Sequence, residues 1–260
     1  MKEQGGIRVW RGWRKETVAW DKFIRHLATI FIPATWQVMG RLGLRLYVPS
    51  VLAESKPEGM PDEVALLFYP SQSAYLAARS RSAAGRAYGL LHEAVFAFTP
   101  ERRSTSTTAV SWSPGQPAPL QDQPFHRQAT GNGCRFCEAQ RVVFLALSHQ
   151  QAPSAMPGAL FAVLGQCCDE AVVYGENAFT LAWLAVRNAG EFDRGMLAAE
   201  LASRLPASTL VAVHAAERMQ FQVDYFAEFD GLALQSDQTL FFLPADRIPE
   251  GISARASALE

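Results

Sequence analysis

Apolar runs at strand spacing alternate with stretches of helical spacing along the first 112 residues of the chain. The predicted elements are, in chain order, strand 6–14, helix 18–39, strand 44–51, strand 64–69, helix 71–96 and strand 105–112. The helices are predicted because apolar residues recur at intervals of three and four residues. The strands are predicted because apolar residues alternate with polar ones or form short apolar runs. The resulting order, β-α-β-β-α-β, is typical of ferredoxin-like folds.

The same order of elements follows in the second half. Its predicted elements are strand 142–147, helix 157–167, strands 171–174 and 179–186, helix 191–205 and strand 210–214. Alternation at 219–225 then predicts a β extension. The segment between the halves is rich in Pro, Gln and Gly, which is typical of a linker or mobile loop. We therefore predict an α+β protein with a ferredoxin-like domain at 1–112, a linker at 113–140, and a second ferredoxin-like domain at 141–260.

Composition and charge limit the classes of function. The chain has 260 residues, a hydrophobic fraction of 49% and a formal net charge of −1. It can bury sizeable cores, and it lacks the basic surplus that nucleic-acid binding requires. The longest apolar stretch, 23–39, contains Arg25, His26 and Pro33 and is too short to span a membrane. Because the N-terminal residues contain no secretory h-region, we expect a cytoplasmic protein without membrane or nucleic-acid partners.

Two ferredoxin-like units in one chain resemble the dimeric α+β-barrel superfamily, in which two four-stranded sheets face each other to form a barrel. Relatives include cofactor-free and haem-degrading monooxygenases, chlorite dismutases and dye-decolourising peroxidases. The resemblance covers residues 6–112 and 142–215 and rests on topology, so it assigns no catalytic residue. It implies a cavity that binds a small organic molecule. Whether the barrel closes within one chain or in a homodimer stays open.

Arginine and aromatic residues on the first three strands are candidates for ligand binding. Strand alternation places Arg8 with Trp10 on one face, and Arg45 with Tyr47 on one face of the next strand. Tyr69 ends the third strand. If these faces coincide, two guanidinium groups lie among aromatic rings, which suits a flat anionic ligand. We then expect at least one arginine to point into a solvent-accessible cavity; the alternative is that both lie at strand ends in water.

Two further candidates lie on the helix 71–96. His92 follows Tyr88 by one helical turn, so both residues lie on or beside the apolar stripe. In haem-binding relatives a helical histidine that faces the cavity is the iron ligand, and His92 matches that ligand in element and residue type only. The alternative is a histidine bonded to Glu93 or to a backbone carbonyl. We expect no tightly bound cofactor, with haem as the alternative.

The cysteines do not complete a metal site. Cys134 and Cys137 form a CxxC near His126, but zinc requires two more thiolate or imidazole ligands. Cys167 and Cys168 are adjacent, so on a helix their side chains diverge. We therefore expect free thiols and no bound metal.

The sequence also lacks several catalytic motifs. It contains no GxGxxG after a strand, no P-loop, no GxSxG and no HExxH, which disfavours nucleotide-dependent enzymes and hydrolases. The favoured function is binding of an anionic or aromatic organic molecule, with cofactor-independent monooxygenase-like or isomerase-like chemistry. A haem-dependent member of the same superfamily and a non-enzymatic assembly or regulatory protein are the alternatives.

Overall fold

Ten strands and six α-helices are present in the part of the chain that the structure, a computed structural model, describes. The described residues are 6–70, 72–99, 110–111, 125–129, 136, 139, 141–150, 156–164, 168–176, 178–186, 193–216 and 219–220. The strands are β1 (Gly6–Gly12), β2 (Leu46–Val51), β3 (Glu63–Tyr69), β4 (Val110–Ser111), β5 (Phe125–Ala129), β6 (Arg141–His149), β7 (Glu170–Gly175), β8 (Phe179–Val186), β9 (Ser208–Ala216) and β10 (Met219–Gln220). The α-helices are α1 (Trp20–His26), α2 (Ile32–Ala34), α3 (Gln72–Leu76), α4 (Ala83–His92), α5 (Met156–Leu164) and α6 (Arg194–Arg204).

The strands form two five-stranded sheets. The first has the order β10-β2-β3-β1-β4 and the second the order β5-β7-β8-β6-β9. Without the outermost strands β10 and β5, the two orders are β2-β3-β1-β4 and β7-β8-β6-β9. In each sheet the four strands therefore lie in the order second, third, first, fourth along the chain. This order, with helices after the first and third strands, is that of a ferredoxin-like unit. The predicted α+β fold with two ferredoxin-like units is therefore confirmed, whereas the facing of the two sheets in a barrel stays a prediction.

Each sheet receives its fifth strand from the segment that follows the other sheet's fourth strand. β5 follows β4 and pairs antiparallel with β7, with Phe125 opposite Tyr174. β10 follows β9 and pairs antiparallel with β2, with Met219 opposite Tyr47. The sequence pattern did not predict β5, which lies within 113–140. β10 joins the first sheet beside β2, and β5 joins the second sheet beside β7. In both sheets this is the edge formed by the second of the four ferredoxin-like strands.

The chain divides into two compact units that do not follow the sequence halves. The first comprises Met1–Tyr47, Leu67–Ser106 and Met219–Glu260, and the second comprises Val48–Leu66 and Thr107–Arg218. Much of the predicted linker lies outside the described residues. The domain boundaries at 112 and 140 therefore stay a prediction.

The core of the second unit lies between one face of its sheet and the helices α5 and α6. Alternation along β6 and β8 directs Leu145 and Leu184 to this face, where Leu160 of α5 and Leu197 of α6 are also fully buried. Burying each of these side chains contributes about 1.5–3 kcal/mol relative to leaving it exposed. α6 begins at Asp193, whose carboxylate accepts hydrogen bonds from the first-turn backbone.

The helical segments of the first unit contain three π-helical turns. They are Leu27–Phe31, Thr35–Met39 and Ala77–Arg81. Pro33 lies in the short helix α2 between two π-helical turns, and the helical path continues without a break from Trp20 to Met39. π-Helical turns are rare and occur frequently at functional sites.

The predicted uninterrupted helix 71–96 is wrong, because the helical path breaks at Ser82. This residue is extended, with a ψ of 139°, and its side-chain oxygen accepts a hydrogen bond from the backbone N–H of Gly85 at 2.8 Å. Gly85 also allows close approach, since a Cβ there would overlap the carbonyl of Ala78. The capping serine and the glycine together hold the start of α4 against the preceding π-helical turn. α4 ends at His92, not at Phe96.

We predict that Gly85→Ala lowers the free energy of unfolding by about 2 kcal/mol or more, since the added methyl group meets rigid backbone. Gly89 lies in the same helix, and a Cβ there would contact nothing within 4 Å. Gly89→Ala is the matched control, and it should raise the free energy of unfolding by up to about 1 kcal/mol. Urea denaturation of both variants measures the two effects. Equal stability of the two alanine variants would contradict the proposed close approach.

Candidate functional site

Aromatic rings surround His92 between β1 and the helices of the first unit. We call this group the His92 cluster; its members are Trp10, Phe31, Tyr88, His92, Phe96 and Phe98. The centroid of the His92 ring lies 4.5 Å from that of Tyr88, 4.6 Å from that of Trp10 and 4.9 Å from that of Phe31. His92 is only 7% exposed, so the cluster is a packed aromatic core around one titratable ring.

The hydrogen bonding of His92 assigns its tautomer. Nδ1 lies 2.9 Å from the backbone carbonyl oxygen of Tyr88, one turn earlier in α4. A carbonyl oxygen only accepts, so Nδ1 carries the hydrogen and the lone pair of the neutral ring is at Nε2. Burial lowers the pKa of His92 to about 4, although the backbone hydrogen bonding opposes the shift. The histidine is neutral at pH 7, and the prediction of a bond to a backbone carbonyl is confirmed.

A pair of hydroxyl groups borders the His92 cluster. The Thr35 hydroxyl donates to the carbonyl of Phe31 at 2.8 Å, and the Tyr88 hydroxyl lies in hydrogen-bond contact with the Thr35 oxygen. Phe31 ends one π-helical turn, and Thr35 begins the next. The irregular helical backbone therefore positions the hydroxyl pair beside the histidine.

A second group, the Arg8 cluster, comprises Arg8, Tyr69, Tyr75 and Arg79. The Arg8 guanidinium lies 3.7 Å from the ring centroid of Tyr75, and that of Arg79 lies 6.0 Å from the same centroid. Arg79 also donates to the Tyr75 hydroxyl at 3.2 Å. The rings of Tyr69 and Tyr75 are 5.3 Å apart. Two cations thus share one aromatic ring, one of them 3% exposed and the other on the surface.

Burial and neighbouring charges shift the pKa values of Arg8 and Tyr69. Burial lowers the pKa of Arg8, the charge of Arg79 acts in the same direction, and Tyr75 and Tyr69 oppose both. Burial raises the pKa of Tyr69, so its phenol keeps its proton. Since a guanidinium in a protein keeps its charge, the charges of Arg8 and Arg79 repel each other.

The two clusters lie along one face of β1. Arg8 and Trp10 share that face, as alternation predicted, about 7 Å apart along the strand. Gly12 lies on it too, and a Cβ there would overlap the ring of Phe96. This is the helix-covered face, and Arg8 is 3% exposed and packed against Tyr75 of α3. The prediction that at least one of Arg8 and Arg45 points into a solvent-accessible cavity is therefore not met by Arg8, and it stays a prediction for Arg45. Alternation identifies which residues share a face but not which element covers it.

Arg45 and Tyr47 belong to neither cluster as defined. Arg45 is half-buried just before β2 and donates its backbone N–H to the carbonyl of Phe68 at 2.8 Å. Tyr47 is buried within β2. Their predicted part in ligand binding stays a prediction.

Two members of the Arg8 cluster, Tyr75 and Arg79, were not among the residues selected from the sequence. They are separated by four positions, and this spacing places them on one side of a helical path. An aromatic residue and an arginine at that spacing are a signal that could have identified them. Phe96, which contacts four other rings of the His92 cluster, was also not selected, because an aromatic residue beyond a helix end has no distinctive spacing.

The surroundings of His92 do not fit haem. An iron ligand must present its free nitrogen to a macrocycle much wider than the imidazole ring. The rings of Trp10, Phe31, Tyr88 and Phe96 lie within 5.7 Å of the imidazole, and haem would have to displace several of them.

The described part of the chain brings together no group of three or more metal-ligating side chains. Cys134, Cys137 and Cys167 lie outside the described residues, so the prediction about the CxxC is untested. The thiol of Cys168 donates a hydrogen bond to the carbonyl of Leu164 at 3.1 Å. In the same described part, every helix is too short or too polar to cross a membrane.

Comparison with known proteins gives distant structural similarity only. No family model matches the chain, and no curated protein matches it. Of nine matching structures, one is a protein from Fusobacterium nucleatum provisionally assigned as a monooxygenase, at 5% identity and a TM-score of 0.43, covering 85% of this chain and 94% of that one. An anthrone oxidase-like protein matches at 10% identity and a TM-score of 0.37, covering 85% and 94%. A protein provisionally assigned as a chlorite dismutase matches at 9% identity and a TM-score of 0.36, covering 88% and 99%.

The lowered pKa of His92 predicts how stability depends on pH. The pKa of this histidine is 6.5 in the unfolded chain and about 4 in the folded chain. Between these two pH values the unfolded chain binds the proton and the folded chain does not. Stability from this group is therefore complete above pH 6.5 and is lost between 6.5 and 4, by up to about 3 kcal/mol. His149 and His214 also have lowered pKa values and add a loss of the same sign.

The variant His92→Phe keeps an aromatic ring and removes the titrating group. We expect denaturant unfolding between pH 4.5 and 7.5 to show a shallower pH dependence in the variant than in the native chain. Identical slopes for the two proteins would contradict a buried neutral His92.

Proposed function

We propose that the first unit binds a planar organic molecule with a negative charge on the helix-covered face of β1. The observation that supports this most strongly is the shared use of Tyr75 by two arginines, Arg8 and Arg79. Two like charges at one ring repel each other, and a carboxylate between them converts the repulsion into two charge-assisted interactions. Arg79 is exposed, so an anion can approach from solvent.

The aromatic neighbours suit the body of such a ligand. Tyr69, Tyr75 and Trp10 place aromatic rings along this face, and guanidinium groups stack on aromatic rings as well as pairing with carboxylates. The distance of about 7 Å between Arg8 and Trp10 is comparable to one aromatic ring with its carboxylate. A ligand anchored at the arginines is directed along β1 toward Trp10 and His92, and it reaches His92 only if rings of the packed His92 cluster move aside.

His92 is the group in this arrangement that can accept a proton. With a pKa of about 4 it is a weak base in the free protein, so it serves first as a hydrogen-bond acceptor through Nε2. A ligand anion nearby favours the protonated ring and raises the pKa of His92 toward neutrality. Binding thereby converts a buried neutral histidine into a more effective base.

Proton removal by His92 leads to two reaction classes. Return of the proton to another carbon gives an isomerisation, and attack of the resulting carbanion on dioxygen gives an oxygenation without a bound cofactor. Both agree with the monooxygenase-like or isomerase-like function expected for this chain. The packing around His92 disfavours the haem-dependent alternative, and loss of all ligand binding would favour an assembly or regulatory protein.

We predict that the native chain binds 2-naphthoate more tightly than the neutral isostere 2-naphthamide, as measured by isothermal titration calorimetry. Arg79→Gln should weaken naphthoate binding about tenfold, the order of one charge-assisted hydrogen bond, and should leave naphthamide binding unchanged.

The matched control is Arg86→Gln. Arg86 is an exposed arginine of α4 whose guanidinium donates to the carbonyl of Arg81 at 2.9 Å. Its replacement removes the same charge from the surface and should leave naphthoate affinity within about twofold of the native value. Equal losses in the two variants, or equal affinity for the acid and the amide, would contradict the proposal.

A further inference from the structure

A serine, a histidine and a threonine form a hydrogen-bonded chain in the second unit, outside the clusters of the first. His149 ends β6, Thr180 lies in β8, and Ser208 begins β9. Nδ1 of His149 lies 2.9 Å from the Ser208 oxygen, and Nε2 lies 2.8 Å from the Thr180 oxygen. A hydroxyl beside an imidazole that a third group orients is the arrangement of an activated nucleophile.

A β-bulge brings Ser208 to this position. Along β6 and β9, Leu145 pairs with Val213, but the register shifts by one residue so that Leu147 pairs with Leu210 and His149 with Ser208. Without the shift, Thr209 and not Ser208 would share the face of His149. Bulges redirect side chains and are over-represented next to active sites. The register shift lies between Ala146 and Leu147, and it places Ser208 opposite His149.

The tautomer of His149 decides which hydroxyl is activated. If Nε2 carries the hydrogen, it donates to Thr180, and Nδ1 accepts the proton of Ser208. The opposite tautomer would activate Thr180, which is 2% exposed and out of reach of a substrate, whereas Ser208 is only half-buried. Of the two hydroxyls, that of Ser208 is the more accessible to a substrate, and that of Thr180 is placed to orient the ring. Burial lowers the pKa of His149, which favours the neutral ring that a base requires.

We infer that Ser208 and His149 form an acyl-transfer site for small activated esters. The Ser208 oxygen attacks the ester carbonyl carbon while its proton passes to Nδ1 of His149. The bond to the leaving alcohol then breaks, and the alcohol takes the proton from the imidazolium. Water repeats the sequence on the acyl-serine, which releases the carboxylic acid and regenerates the serine. This site is independent of the anion-binding function proposed for the first unit.

The test uses the full chain, a fluorophosphonate probe that modifies activated serines, and p-nitrophenyl acetate as substrate. We expect the probe to modify Ser208, identified by peptide mapping, and the native chain to release p-nitrophenolate with an initial burst. Ser208→Ala should abolish modification at this position. His149→Gln should slow it about a hundredfold, the scale of a lost general base.

The matched control is Thr209→Ala, which removes the neighbouring exposed hydroxyl on the other face of β9 and should leave the labelling rate unchanged. Thermal unfolding identifies any variant that fails to fold, and the native mapping result stands without the variants. An unmodified Ser208 in the native chain, or equal labelling rates in the native chain and a folded His149→Gln, would overturn the inference.

Discussion

The ring of Phe96 occupies the space that a side chain at position 12 would take, and the first unit is built around this contact. Its ring centroid lies 5.5 Å from that of Phe23, 5.7 Å from those of Trp10, Phe31 and His92, and 6.0 Å from that of Phe98. The backbone of the same segment is held as well, because Ala97 donates to the carbonyl of Trp13 and Lys15 to that of Val95. One glycine in β1 thus lets the segment after α4 close onto the strand.

The helix-covered face of β1 also carries buried polar groups, and their burial shifts their pKa values. A histidine at the end of α4 becomes neutral because aromatic rings, and not water, surround it. An arginine two residues from Trp10 on the same strand is buried against Tyr75, and the guanidinium of a second arginine lies 6.0 Å from the centroid of the same ring. Taking a charged or titratable group out of water costs free energy, which hydrogen bonds and ring contacts offset in part.

The sequence predicted the order of the elements well, since strand and helix periods are local properties of the chain. The ferredoxin-like order of both sheets follows from that element order. The break at Ser82 was missed, because a serine within an apolar helical pattern can cap a new helix or continue the old one, and packing decides. The bulge in β9 was missed for a similar reason, since Val211 has no sequence feature that marks an extra residue.

In the candidate site, too, features set by neighbouring residues were predicted, and features set by contacts between distant segments were not. Alternation paired Arg8 with Trp10 on one strand, and helical spacing paired Tyr88 with His92. The side of the sheet that the helices cover, and hence the burial of Arg8, depends on contacts between distant segments. The helical spacing of Tyr75 and Arg79 is visible in the sequence, but their contact with Arg8 depends on such non-local packing.

The central claim, that an anionic ligand lies along this face with His92 at its far end, is tested most directly by the pKa of His92 itself. Nitrogen-15 NMR of the imidazole, recorded against pH with and without saturating 2-naphthoate, measures that value. We expect a pKa of about 4 in the free chain and a rise of at least about one unit in the complex, with Nε2 as the titrating nitrogen. An unchanged His92 pKa in a naphthoate-saturated chain would contradict the account.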